Sequence, residues 1–244
     1  MLYQEKTGGI PIELDDMAKI LVETLDLDTN PVGVKLFKEE GDIPTDVELL
    51  QKPLRYCEMV QAARLRGETT LSKVEFHACK GGASGLGLMD FPDNISSGNL
   101  YFSKLNKCVT KDAGANIVSN FPAQEPGCTV ATLVTPLEKM TMEPDVIIFV
   151  GKPFQARRIV QAVLYKEGGR VEFNTAGIQS FCVDATSSPI LKGEVNVSMG
   201  CDGAAKNAGL EDDFVVVGIP FQMAEDICSI LAERAEGWDN WMRS

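Results

Sequence analysis

Hydrophobic and polar positions along the chain fall into two periods. Ile12, Met17, Ile20, Leu21 and Leu25 recur near helical spacing behind acidic first turns, which predicts a helix over 12–26 with one core-facing stripe. After the turn Asp28-Thr29-Asn30-Pro31, the segment VGVKLF (32–37) alternates and predicts a strand. A polar link leads past Pro53 to a second helix at 56–65, stopped near Gly67, and a short strand at 74–76 follows. Further on, the pattern predicts a helix around 110–120 and apolar strands at 128–134 and 144–150. A helix over 155–165 is stopped by Gly168-Gly169. Strands are expected at 171–173, 178–183, 195–199 and 214–219, with 184–189 as a loop. The last helix, 221–235, turns Met223, Ile227, Ile230 and Leu231 inward. Strands interleaved with helices throughout predict an α/β or α+β layer fold with a mixed sheet.

Two stretches repeat. The second and fourth helices share V-Q-A, at Val60-Gln61-Ala62 and Val160-Gln161-Ala162, and each leads to V-E-F, at 74–76 and 171–173. This suggests an internally duplicated βαβ-like unit. The expected organisation is one compact domain over 1–244. Its pseudo-repeats lie near 31–90 and 144–210, joined by a middle segment rich in Gly, Asn and Pro.

Composition narrows the functional classes. The chain has 244 residues, 44% of them hydrophobic and 24% charged, which suits an ordinary globular protein with a substantial core. No apolar run approaches the roughly 18 residues of a membrane helix. The first residues, MLYQEKTGGIPIELDD, lack the basic and apolar regions of a signal peptide, so the expected location is cytoplasmic. A net charge of −12 argues against a nucleic-acid partner, because phosphate binding needs clustered Lys and Arg. Seven cysteines are present without a C-x-x-C pair, and His77 is the one histidine. The strong zinc-ribbon, ferredoxin and thioredoxin signatures are therefore absent.

The candidate chemistry centres on VEFHACKGGASGLGL (74–88) and a second copy, VNVSMGCDGAAKNAGL (195–210). Aligned without gaps, Cys79 falls on Cys201 and Gly81 on Gly203. Each thiol would close a strand ahead of a glycine loop whose N–H groups favour a thiolate. Cys57 opens the second helix, where free N–H groups and Arg55 favour the same charge. Three thiolates from separate elements suit three irons of a cubane cluster, and Cys182, closing the 178–183 strand, is the choice for the fourth. Cys108 and Cys128 are weaker candidates, and Cys228 faces a helix core. His77 would share a strand face with Cys79. In the glycine loops, Gly81, Gly82, Ser84, Gly85, Gly203 and Lys206 present an alternative cofactor or anion cradle.

These residues resemble a known family. PVGVKLF, the segment R-Y-C-x-x-V-x-x-A-R-x-x-G-E, the C-x-G-G-x-x-x-L-G-L loop and the late S-x-G-C-x-G-A element are similar to prokaryotic domain-of-unknown-function family 169, common in archaea and anaerobic bacteria. The resemblance implies no established activity, and its association with anaerobes favours an oxygen-sensitive iron–sulfur group. An arginine is expected soon after G-C-x-G, and Ala205-Lys206 stands there instead. The leading expectation is a cytoplasmic iron–sulfur or metal protein acting in electron transfer or as a Lewis acid, with a redox partner. The alternatives are a metal-free binder of an anionic small molecule and an enzyme using Cys79 as nucleophile with His77. A homo-oligomer fits any of the three.

Overall fold

Six segments of the chain pair as strands: β1 Val32–Phe37, β2 Thr70–Ser72, β3 Ala131–Pro136, β4 Val146–Gly151, β5 Asn196–Ser198 and β6 Val215–Pro220. The computed structural model describes residues 12–243. Residues 1–11, on which part of the signal-peptide reading rests, lie outside the described residues. The helices are α1 Leu14–Leu25, α2 Tyr56–Arg66, α3 Lys80–Gly85, α4 Asp93–Ser96, α5 Lys111–Ser119, α6 Pro153–Leu164, α7 Ser188–Lys192, α8 Asp202–Ala208 and α9 Phe221–Arg243. Two π-helical segments join them, π1 Leu100–Lys104 and π2 Ser180–Ser187. Among the described residues no helix is long and apolar enough to cross a membrane.

The strands form one sheet in the order β2-β3-β1-β4-β6-β5, and every ladder is antiparallel. β4 (VIIFVG) and β6 (VVVGIP) are buried at every position, as strands covered on both faces must be. One face packs under α1, α6 and α9 through Leu21, Ile147, Phe149, Ile159 and Leu231. The other face packs under α2, α3, π2 and α8 through Val34, Met59, Leu86, Phe181, Ala204 and Val216. The result is a three-layer α+β fold in which α2, α3, π2 and α8, bearing Cys57, Cys79, Cys182 and Cys201, share one layer.

The two halves of the sheet have the same pairing. β2-β3-β1 and β5-β6-β4 run outward-to-inward in matching order and meet where β1 pairs β4. Register repeats as well. Val32 opposes Pro136 as Val146 opposes Pro220, and Thr70 opposes Val134 as Asn196 opposes Gly218. At the junction Val32 pairs Ile148 and Val34 pairs Val146 around the Gly33–Ile147 pair. Exchanging the halves therefore returns the same ladder, about an axis through Gly33 and Ile147.

Several elements differ from the sequence expectations. In place of a mixed sheet, all the ladders are antiparallel, and among the described residues parallel pairing occurs only at the isolated bridges Leu49–Leu71 and Leu54–His77. The first V-E-F is a 3-10 turn, the strand lying earlier at Thr70–Ser72, and the second has no regular structure. The 178–183 strand and the 184–189 loop are together π2 and the start of α7. A short buried apolar run has no periodicity to separate helix from strand. Here tertiary packing decides, since Phe181, Val183 and Ala185 all point into the layer over the sheet.

Candidate functional site

Four helix starts supply the thiols. Cys57 is the second residue of α2, Cys79 is the N-cap of α3, Cys182 is the third residue of π2, and Cys201 is the N-cap of α8. Free N–H groups at such ends carry partial positive charge and favour anionic sulfur. The Cys79 sulfur already accepts the Gly82 N–H at 3.4 Å, and Cys201 accepts the Ser180 hydroxyl at 3.2 Å.

Specific contacts lock these four elements together. α2 packs on α8, α3 packs on π2, and α2 packs on π2. Buried Tyr56 on α2 shares a 2.8 Å hydrogen bond with Thr186 of π2. Ser187 of π2 donates to the Gly85 carbonyl of α3 at 2.7 Å. Arg64, at the far end of α2, holds both carboxylate oxygens of Glu211, at 2.9 and 3.1 Å, just past α8. Asp184 ties π2 to β5 by accepting the Ser198 hydroxyl at 2.6 Å. Burial raises its carboxyl to about 6.

The thiols converge. Burial pushes Cys57 up to about 12, and Cys201 and Cys79 add to the rise. Burial also lifts Cys182 well above its ordinary value, helped by Cys79, Cys201 and Cys57. A Cβ built on Gly82 would stand 3.6 Å from both the Cys79 and the Cys182 sulfur, and one on Gly203 would stand 3.8 Å from that of Cys201. Glycine at Gly82 thus leaves open the space that two of the sulfurs border. For Cys57, desolvation outweighs the helix end, and the charge expected from Arg55 is directed to Glu58, 3.3 Å away.

A pH dependence follows for Cys57. An unfolded thiol releases its proton near 9, the folded one near 12. Between these values the folded chain holds a proton that the unfolded chain has lost, so stability falls as pH rises. Urea unfolding of the metal-free protein from roughly pH 8 to 11 should show this decline. Cys57→Ser should lessen it, the remainder coming from the buried thiols of Cys182 and Cys228, and an unchanged slope would contradict the burial of the Cys57 thiol.

The other sequence candidates lie elsewhere or differ in form. The expected loop at Gly81, Gly82, Ser84 and Gly85 is the helix α3, buried from Gly81 to Gly85. Its glycines permit close packing, since a Cβ on Gly85 would approach Val183 Cγ2 to 2.6 Å. Ser84 Oγ bonds the Lys80 and Asp90 carbonyls. Gly203 and Lys206 are exposed on α8. His77 follows a 3-10 turn, so the shared strand face with Cys79 does not form. It is buried, its Nε2 is 3.3 Å from Thr132 Oγ1, and burial lowers its pKa to about 4, aided by Lys80. Cys108 lies against Gly114, Cys128 lies 3.4 Å from Lys38 Nζ, and Cys228 is in the opposite core. Tyr101, Gln179 and Ser180 border the thiols without a sequence signal. Gln179 sits in the left-handed region at φ 59°, a conformation that composition does not announce.

Among the described residues, no group of three or more His, Cys, Asp or Glu side chains is placed to hold a single metal ion.

Comparison with known proteins agrees with the family resemblance. The model of the DUF169 family, described as "Uncharacterised ArCR", matches residues 20–229. The curated "Uncharacterized protein MJ0308" of Methanocaldococcus jannaschii is 37% identical over 227 residues, covering 93% of this chain and 97% of that protein. No solved structure matches the chain.

Proposed function

We propose that this chain, which belongs to the DUF169 family, is a redox protein whose Cys57, Cys79, Cys182 and Cys201 hold a cubane iron–sulfur cluster. The observation that carries the reading is the convergence of these thiols from four separate helix starts. In a cubane each thiolate binds its own iron, so the sulfurs stand apart around the group. The four N-termini supply N–H donors and positive potential to offset the negative charge of a thiolate-held cluster.

Such a cluster carries one electron at a time. A fourth cysteine leaves no iron open, which favours electron transfer over Lewis-acid chemistry. Burial of Cys182 excludes water from its sulfur, Cys57 is half-buried beside it, and the Tyr56–Thr186 contact keeps their helices in register. The site lies in the layer above the sheet junction. Cys57 and Cys182 open elements packed on each other, and Cys79 and Cys201 both cap short helices. This arrangement, with the repeated register, supports an internal duplication in which each half contributes two thiols.

Anaerobic reconstitution with iron and sulfide tests the proposal. The expected result is a brown protein with broad absorbance near 400 nm and about four irons and four sulfides per chain. A colourless protein that retains neither iron nor sulfide would remove the reading.

A further inference from the structure

Tyr101 sits on π1, is 1% exposed and packs with Ile95, Val118 and Ile178 just ahead of π2. Its phenolic oxygen accepts the Gln179 Nε2–H at 3.3 Å. The Gln179 Oε1 of the same amide in turn accepts the Cys182 S–H at 2.9 Å. Among the described residues the phenol accepts this bond and its own proton has no hydrogen bond to a side chain. Leaving a buried hydroxyl donor unpaired costs about 1–3 kcal/mol, so the observation calls for a partner that arrives with a ligand. Through the Gln179 amide the hydroxyl is linked to Cys182, whose sulfur borders the space beside Gly82 together with that of Cys79.

Gln179 holds the phenol by a strained route. Its backbone is left-handed without being glycine, a conformation that costs of order 1 kcal/mol and persists where the surroundings demand it. Its amide fills the space beside Gly81, where any Cβ would collide with it. Gly81 is thus required for the amide to reach both Cys182 and Tyr101. Both Tyr101 and Cys182 lie on π-helical segments, a geometry frequent at functional sites.

We propose that Tyr101 donates a hydrogen bond to the sulfur-rich group held by the four cysteines, with Gln179 as its positioning residue, and that this bond sets the potential of the centre. The inference rests on the cluster reading above. An O–H donor to a cluster sulfur stabilises the reduced state, which carries the greater negative charge, and so raises the reduction potential.

The test compares the midpoint potentials of the reconstituted parent and Tyr101→Phe. Phenylalanine keeps the ring and removes only the hydroxyl. The expected outcome is parent-like iron content with a potential lowered by about 59 mV, a tenfold drop in the reduced-to-oxidised ratio for one electron. Gln179→Leu should move the potential in the same direction by less. If Tyr101→Phe does not fold like the parent, Gln179→Leu carries the comparison. An unchanged potential in a loaded variant overturns the assignment of Tyr101 and leaves the cluster intact. Failure of the parent to load overturns the cluster reading itself, and this assignment with it.

Discussion

Cys182→Ser is expected to lower the iron retained after anaerobic reconstitution and desalting from about four to about three or fewer per chain. One iron would lose its only protein ligand and be held by cluster sulfide alone, open to exchange with solvent. Cys182 is the most demanding member of the set to replace. It is buried, its sulfur donates to the Gln179 Oε1 at 2.9 Å, and Cys79, Cys201 and Cys57 add to the rise of its pKa. Combined Cys79→Ala and Cys201→Ala should abolish uptake, because both short-helix caps would then lack a ligand. Cys108→Ser and Cys128→Ser serve as controls. Their thiols lie beside Gly114 and Lys38 respectively, and iron content should match the parent. Equal iron in Cys182→Ser and the parent would remove Cys182 from the site. Loss of iron in the controls to the same degree would show that uptake depends on the total number of thiols instead of on their placement.

Gly218→Ala is expected to destabilise the metal-free fold by about 3 kcal/mol. Gly218 lies within β6, between Asn196 of β5 and Ile148 of β4. A methyl group there would fall inside the van der Waals shell of the Ala185 carbonyl oxygen, 2.7 Å from the Ala185 carbonyl carbon and 2.8 Å from Pro189 Cγ. These are backbone and ring atoms, not the ends of flexible side chains, so relief requires π2 to lift from the sheet. For a chain of this length the melting temperature should fall by about 6–12 °C. Because π2 carries Cys182, cluster retention should fall with it. Gly237→Ala on α9 is the contrast, since nothing lies within 4 Å of the added methyl. An exposed helical glycine replaced by alanine gains about 0.5–1 kcal/mol. A melting temperature for Gly218→Ala equal to the parent's would contradict the close seating of π2 on the sheet.

Much of the fold is legible from periodicity. β1 begins and ends where VGVKLF predicts, and α1, α2, α5 and α6 fall within a few residues of their patterns. The failures are physical. IQSFCV has the composition of a buried strand, yet its burial is met by packing as a helix over the sheet. Nothing local in the run separates the two. The V-E-F pairs carried the repeat signal without being strands. The repeat in the sheet instead lies in the register of β3 and β6, each ending in proline at the same ladder position. For the candidate site, the sequence singled out the four cysteines because each stands near a predicted element end. It missed the glycine helix, reading KGGASG as a loop, since glycine propensity argues against helix. Packing against π2 overrides that propensity. Tyr101 and Gln179 lie 78 residues apart, so only the folded chain brings them together.

Native mass spectrometry of the anaerobically reconstituted chain tests the central claim most directly. The account predicts one dominant species, heavier than the metal-free chain by a cubane cluster of about four irons and four sulfides, less the protons of the ligating thiols. A chain that gains the mass of a single metal ion, or gains none, would contradict it.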